Sequence, residues 1–238
     1  MEICFITIFP EMMAGPLSSG MLDIAAKKGA ADYRVVDLRD FAVDSYGSVD
    51  DYPYGGGPGM VMMAPPVVEA VESVRTAEEA EEVPVILMSP AGRRFDQSVA
   101  VELASHEKIV FVCGRYKGID ARVEELVITD CVSIGDYILS GGELPALVVA
   151  DAVIRQLPGV IGDERSRDTD SFSCGRGSLL DASYYTRPPE YRGLKVPEIL
   201  QSGNHAKIDE WRKESAMERT KRLRPDLLDA GGKESGQP

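Results

Sequence analysis

Four short runs of β-branched and apolar residues, each closed by a glycine-rich or polar turn, constrain this chain more than any other feature of it. They are ICFITIF from Ile3, VPVILM ending at Met88, KIVFVC ending at Cys113 and CVSI ending at Ile134. Runs of this length and composition read as buried strands. Between them the period becomes helical. APPVVEAVESVRTAEEA sets Val67, Val68, Val71 and Val74 on one stripe behind a proline start, and DQSVAVELAS opens on Asp96, a residue type suited to an N-cap. ELPALVVADAVIRQL reads as a long apolar helix ending at Pro158 and Gly159. Strands that alternate with helices predict an α/β fold, a mostly parallel sheet with helices on both faces.

With 238 residues the chain can bury a large core and has room for a medium domain and a small one. From Gly162 the composition turns to GDERSRDTDSFSCGRGS, polar, small and charged, as in a linker. The expected organisation is a main domain over 1–160, a linker over 161–176 and a small helical domain over 177–238. In the last of these Ile208, Trp211, Ala216 and Leu223 mark two short amphipathic helices, and AGGKESGQP has the composition of a frayed end. The net charge of −13 argues at first against a nucleic-acid partner. Its distribution reverses that reading. Residues 1–160 hold 12 basic and 25 acidic side chains, whereas residues 176–224 hold 11 and 7, so a basic module follows an acidic body.

Glu2 stands where a signal peptide needs basic residues, and no apolar run reaches the length of a membrane span, so a cytosolic protein with no membrane partner is expected. Cys4, Cys113 and Cys131 lie in or beside apolar runs, Cys174 lies in a polar one, and there is no C-x-x-C spacing. Reduced thiols are expected rather than disulfides or a zinc site. His106 and His205 alone do not make a histidine-rich metal centre.

The stretch DDYPYGGGPGM, from Asp50, invites a phosphate-cradle reading. Neither dinucleotide nor P-loop spacing fits Gly55, Gly56, Gly57 and Gly59, and no β-branched run leads directly into them, which disfavours a nicotinamide-dependent dehydrogenase. A tight surface turn is the plainer alternative. Ligands of open α/β sheets bind beyond the carboxyl ends of strands. Three glycine-bearing loops fall there: SPAGRRF from Ser89, CGRYKGID from Cys113 and IGDYILSGGELP from Ile134. Taken singly, each is an ordinary strand-to-helix turn.

Together with FPEM, RDF, VDDYPYGGGPGM, DSF, YTRP and VPEILQSGNHAKIDEWR, these loops make the chain resemble, almost end to end, the bacterial tRNA (guanine-N1)-methyltransferases, the TrmD family of the SPOUT superfamily. The resemblance implies a deep trefoil knot around S-adenosyl-L-methionine (AdoMet). Leu87, Ser89, Pro90 and Gly114 would lie against this cofactor, as would the run Ile134, Gly135, Asp136, Tyr137, Ile138 and Leu139. Gly141, Gly142 and Pro145 would complete the pocket. Asp50, Pro58, Gly59, Arg115 and Tyr116 would face a guanine extruded from a tRNA anticodon stem-loop, which gives the glycine-rich loop the task of admitting and releasing a base.

N1 of neutral guanine bears a proton and is a poor nucleophile, so methyl transfer needs a base for that proton and a cation for charge moving onto O6. The resemblance assigns these roles to Asp170 and Arg155. Read without it, Asp170 is one solvated acid among Asp163, Glu164 and Asp168, and Arg155 is a helix-end cation. The resemblance also places Ser202, Asn204 and His205 near RNA, His205 having a capping or packing role as its alternative. Arg187, Lys207, Arg212, Arg219 and Arg222 are candidate phosphate contacts. It further implies a homodimer in which Asp170 and the C-terminal module of one subunit complete the pocket of the other. Lys117 stands where the family commonly carries glutamate, which leaves a magnesium ion in doubt. The linker DSFSCGRGSLLD is a few residues longer than usual. The rival readings are a knotted methyltransferase for another RNA base and an RNA-binding protein without catalysis.

Overall fold

The structure, a computed structural model, describes residues 1–162, 169–173 and 179–230. Residues 163–168 and 174–178 of the expected linker, Cys174 among them, and the expected frayed end at 231–238 lie outside the described residues. The chain divides into two compact units, Met1–Gly162 and Asp163–Pro238.

In the first unit the elements run β1 (Glu2–Thr7), α1 (Glu11–Leu17), α2 (Gly20–Lys27), β2 (Asp32–Asp37), β3 (Asp50–Asp51), β4 (Val61–Met62), α3 (Ala64–Glu72), β5 (Val85–Arg94), α4 (Gln97–Leu103), β6 (Lys108–Val112), α5 (Ala121–Leu126), β7 (Asp130–Ser133) and α6 (Glu143–Ile154). Five strands form one sheet in the order β2-β1-β6-β5-β7, every neighbouring pair parallel. The apolar runs are buried on both faces because their residues alternate between two cores. Ile3 and Phe5 of β1, Ile109 and Phe111 of β6 and Ile86 of β5 point to one core, which α1, α2, α4 and α6 cover. Cys4, Ile6, Val110, Val112 and Leu87 point to the other, covered by α3 and α5. Phe5 and Phe111 stack with ring centres 5.5 Å apart, and burying each such side chain stabilises the fold by roughly 1.5–3 kcal/mol. No helix among the described residues is long and apolar enough to cross a membrane, and the described cysteines Cys4, Cys113 and Cys131 are free thiols.

Several elements depart from the sequence reading. The stripe beginning at Val67 stops at Glu72: Ser73 turns its hydroxyl back onto the Ala70 carbonyl at 2.7 Å, and turns follow instead of helix. Helix α6 ends at Ile154, before Pro158. Strand β5 runs on through SPAGRR, but Met88 and Arg93 both face Val132, so residues 89–92 bulge out of the ladder. Gly92 is the hinge of this bulge, for a Cβ there would stand 2.4 Å from the backbone of Cys131 and Val132.

The second unit holds a short hairpin, β8 (Glu190–Tyr191) and β9 (Leu194–Lys195), then α7 (Glu198–Gln201), α8 (His205–Leu223) and α9 (Asp226–Ala230). Where two short amphipathic helices were expected, α8 is one 19-residue helix. No glycine or proline interrupts it, and most of its residues are straight-chain helix formers. Its buried stripe is Ile208, Ala216 and Thr220, while Leu223 is exposed. Trp211 is half-buried and packs against Tyr185 with ring centres 6.2 Å apart.

Candidate active site

The carboxyl ends of β6 and β7, with the bulge of β5 between them in the sheet, open into a cavity of about 320 Å³ in the first unit. Its walls come from all three glycine-bearing loops. Leu87, Ser89 and Pro90 line it from β5 and its bulge, Gly114, Arg115 and Tyr116 from the loop after β6, and Ile134, Gly135, Tyr137, Ile138 and Leu139 from the loop after β7. Gly141, Gly142 and Pro145 close it at the start of α6. Asp136 is exposed and is not among the lining residues. Lys117 and Glu124, of opposite charge, also line the cavity, as do Ile119 and Ser140.

Two of these loops lie backbone on backbone. The Gly142 N–H donates to the Gly114 carbonyl at 2.9 Å, and a Cβ on Gly142 would stand 2.7 Å from Cys113 Cα. Beneath them the buried Glu143 carboxylate accepts from Thr7 Oγ1 at 2.7 Å and from Arg115 Nε at 2.8 Å. Complete burial, and then the Glu143 carboxylate nearby, push the Cys113 thiol well above its ordinary pKa, so it keeps its proton and is no nucleophile near neutral pH.

The glycine-rich loop joins β3 to β4, and Gly55, Gly56, Gly57 and Gly59 all take positive φ. Its residues from Asp51 to Gly59 are exposed apart from Pro53. The hairpin is tied to the cavity rim: Lys117 N donates to Met60 O at 3.0 Å, Met62 N to Gly118 O at 3.0 Å, and Asp120 N to Met62 O at 2.9 Å. Burial, and then the Asp50 carboxylate beside it, raise the Tyr116 phenol pKa, so Asp50 and Tyr116 meet at this rim. Asp120 is held at about 2 by the Arg122 guanidinium and caps α5.

Arg155 is the C-cap of α6 in the first unit, and Asp170 belongs to the second, where its carbonyl accepts from Ser173 N at 3.2 Å. Asn204 caps α8 by accepting from Lys207 N at 3.2 Å, so capping falls to Asn204 and not to His205, which is exposed on the first turn. Ser202 donates to Ile199 O at 2.7 Å. Sequence reasoning missed Thr7 and Glu143. An acid opening an apolar helix signals only a favourable macrodipole, and nothing local says that it is buried.

A sequence profile described as tRNA (Guanine-1)-methyltransferase TrmD matches residues 1–230 of this chain. The chain belongs to that family. It is 51% identical over 228 residues to a tRNA (guanine-N(1)-)-methyltransferase of Bacillus subtilis, covering 96% of this chain and 92% of that one. Proteins of the same name are 50% identical in Bacillus pumilus, over 97% of this chain and 93% of the relative, and 51% identical in Bacillus licheniformis, over 96% and 93%. A methyltransferase of the TrmD family implies AdoMet as methyl donor. The cavity fits such a group. It has the size of small-molecule sites, apolar walls at Leu87, Ile134, Leu139 and Pro145, backbone exposed at glycines for the edge of a base, and both signs of charge for a zwitterionic end.

Proposed function

We propose that the protein transfers a methyl group from AdoMet to N1 of the guanosine immediately 3′ of the tRNA anticodon, position 37, and that it does so in the cytosol. The observation that carries this reading is the cavity, which gathers the bulge of β5 and the glycine-bearing loops after β6 and β7 in a chain that belongs to the TrmD family. Leu87, Gly114, Ile134, Leu139, Gly142 and Pro145 would hold the cofactor, with Lys117 and Glu124 at hand for its charged end. Bound there, AdoMet supplies an electrophilic methyl group on a sulfonium. Asp170 takes the proton from guanine N1, and Arg155 donates hydrogen bonds to O6 as negative charge moves onto it. Asp50, Pro58, Gly59 and Tyr116 receive the extruded base at the rim, where Asp50 and Tyr116 adjoin. Lys117 puts a cation where the family commonly has a carboxylate, which disfavours a magnesium ion at that position.

Three further parts of the reading have separate support. A trefoil knot requires the chain to pass close to itself, and the backbone contact of Gly142 with Cys113 and Gly114 supports that reading. A homodimer is supported by α6, a mostly apolar helix that leaves Leu144 and Val148 about half exposed on one stripe. The second unit is a candidate tRNA grip because Arg187, Lys207, Arg212 and Arg222 are exposed, whereas Arg219 is engaged by the Ala182 carbonyl at 3.0 Å. Methyl transfer from labelled AdoMet to a transcript with guanosine 3′ of the anticodon, beside a twin with adenosine there, tests the whole. We expect N1-methylguanosine at that site in the first and no label in the second. Equal label in both, or label elsewhere, would favour another RNA base as the target, and tRNA binding without label would favour a non-catalytic protein.

A further inference from the structure

Glu143 is the only charged side chain among the described residues that is buried, and it is fully buried. Taking a carboxylate out of water is costly unless it is paired and hydrogen-bonded, and a surface acid would serve the start of a helix equally well. Its partners show what it holds. Thr7 Oγ1, at the end of β1, donates to it at 2.7 Å and itself accepts from Phe9 N at 2.9 Å. Arg115 Nε donates to both carboxylate oxygens, at 2.8 and 3.1 Å.

The rest of the Arg115 guanidinium is gripped too. Nη1 donates to Ser140 O at 3.3 Å, Nη2 meets Met12 Sδ at 2.9 Å, and the group lies 4.5 Å from the Phe9 ring centre. Gly141 makes room for it, since a Cβ there would fall 2.1 Å from Nε. Glu143 does not line the cavity, whereas Arg115, Ser140 and Gly141 do. We propose that Glu143 is a positioning residue. Through Arg115 it locks the cavity wall at residues 114–118 to the wall at residues 140–142, so that both stand in binding geometry before the ligand arrives. The inference rests on reading the cavity as the AdoMet site.

The test uses the full-length protein, S-adenosylhomocysteine as the probe and Glu143→Gln, which keeps the shape and removes the charge. Titration calorimetry well below the melting temperature is expected to show binding about tenfold weaker. Hydrogen exchange of the free protein should speed up in both 114–118 and 140–142. Glu143→Gln combined with Arg115→Met leaves no buried charge, so it should recover melting temperature yet still bind weakly. Recovery of binding in that double variant would make Glu143 merely structural and overturn the proposal. Thr7→Val, a milder change, should weaken binding two- to threefold and serves if Glu143→Gln does not fold. Unchanged exchange in both segments also overturns the proposal. Failure of the wild-type protein to bind the probe would overturn the cofactor reading instead, and the exchange result would still decide the latch.

Discussion

Asp170→Ala is expected to lower the rate of methyl transfer by about 10² to 10⁴-fold, the usual worth of a general base, or roughly 3 to 5 kcal/mol of barrier. The reason lies in the substrate. Guanine N1 offers no free lone pair to an electrophile until its proton has gone, and a methyl side chain cannot accept that proton. Asp170→Asn should lose as much, because an amide has the shape of the carboxylate without its basicity. Affinity for S-adenosylhomocysteine should change little, since the residues lining the cavity fall between positions 87 and 145. Single-turnover transfer to a tRNA transcript, with calorimetric titration of S-adenosylhomocysteine alongside, separates the two effects. A rate within a few-fold of wild type would reject Asp170 as the base.

Gly142→Ala is expected to add a methyl group that the facing backbone of the cavity wall cannot accommodate. The Gly142 backbone is ordinary right-handed helix, with φ −83° and ψ −8°, so the cost is one of space and not of conformation. A Cβ would stand 2.7 Å from Cys113 Cα, 2.9 Å from Gly114 N and 3.1 Å from Cys113 C, all backbone atoms that no rotamer change can move. Relief requires the two loops to part, which stretches the 2.9 Å bond from Gly142 N to Gly114 O. Overpacking of this kind costs about 1–3 kcal/mol, or roughly 3–10 °C in melting temperature for a domain of this size. Binding of S-adenosylhomocysteine should weaken by more than tenfold, because the loops that part are the cavity walls. Gly15→Ala, inside α1 with nothing within 4 Å of the added carbon, is the control and should melt at or slightly above the wild-type temperature. An unchanged melting temperature and affinity for Gly142→Ala would mean that the loops do not pack as described.

The central strands were legible because both their faces are buried. In β1 and β6 every residue after the first is buried, and all of these but Thr7 are apolar, which is what a strand between two helical layers needs. Edge strand β2 was not legible: DYRVVD is exposed or half-buried except at Val36, and two valines between charges make a weak signal. The bulge at residues 89–92 hides for another reason. Pro90 and Gly92 read locally as the end of a strand, and only the pairing of Arg93 and Arg94 with β7 shows that the strand resumes. Helix α8 looks like two helices in the sequence because polar residues separate its few apolar ones, whereas helix continuity depends on the absence of breakers.

The site divides in the same way. Glycines at strand ends pointed to the three loops, and the structure brings those loops around one cavity. The roles given to individual residues came from resemblance, since an aspartate in a polar stretch and an arginine at a helix end have no distinguishing local pattern. The latch was invisible for a physical reason. Thr7, Arg115 and Glu143 are far apart in sequence, and the burial that makes Glu143 informative arises only when β1, the loop after β6 and the start of α6 converge.

On the proposed reading, the cavity between the bulge of β5 and the ends of β6 and β7 holds the methyl donor. A crystal structure of the full-length protein with S-adenosylhomocysteine tests it most directly. The adenosine portion is expected inside the cavity, against Leu87, Gly114, Ile134, Leu139 and Pro145, with the amino-acid end toward Lys117 or Glu124. The ligand bound elsewhere on the chain, with this cavity empty, would contradict it.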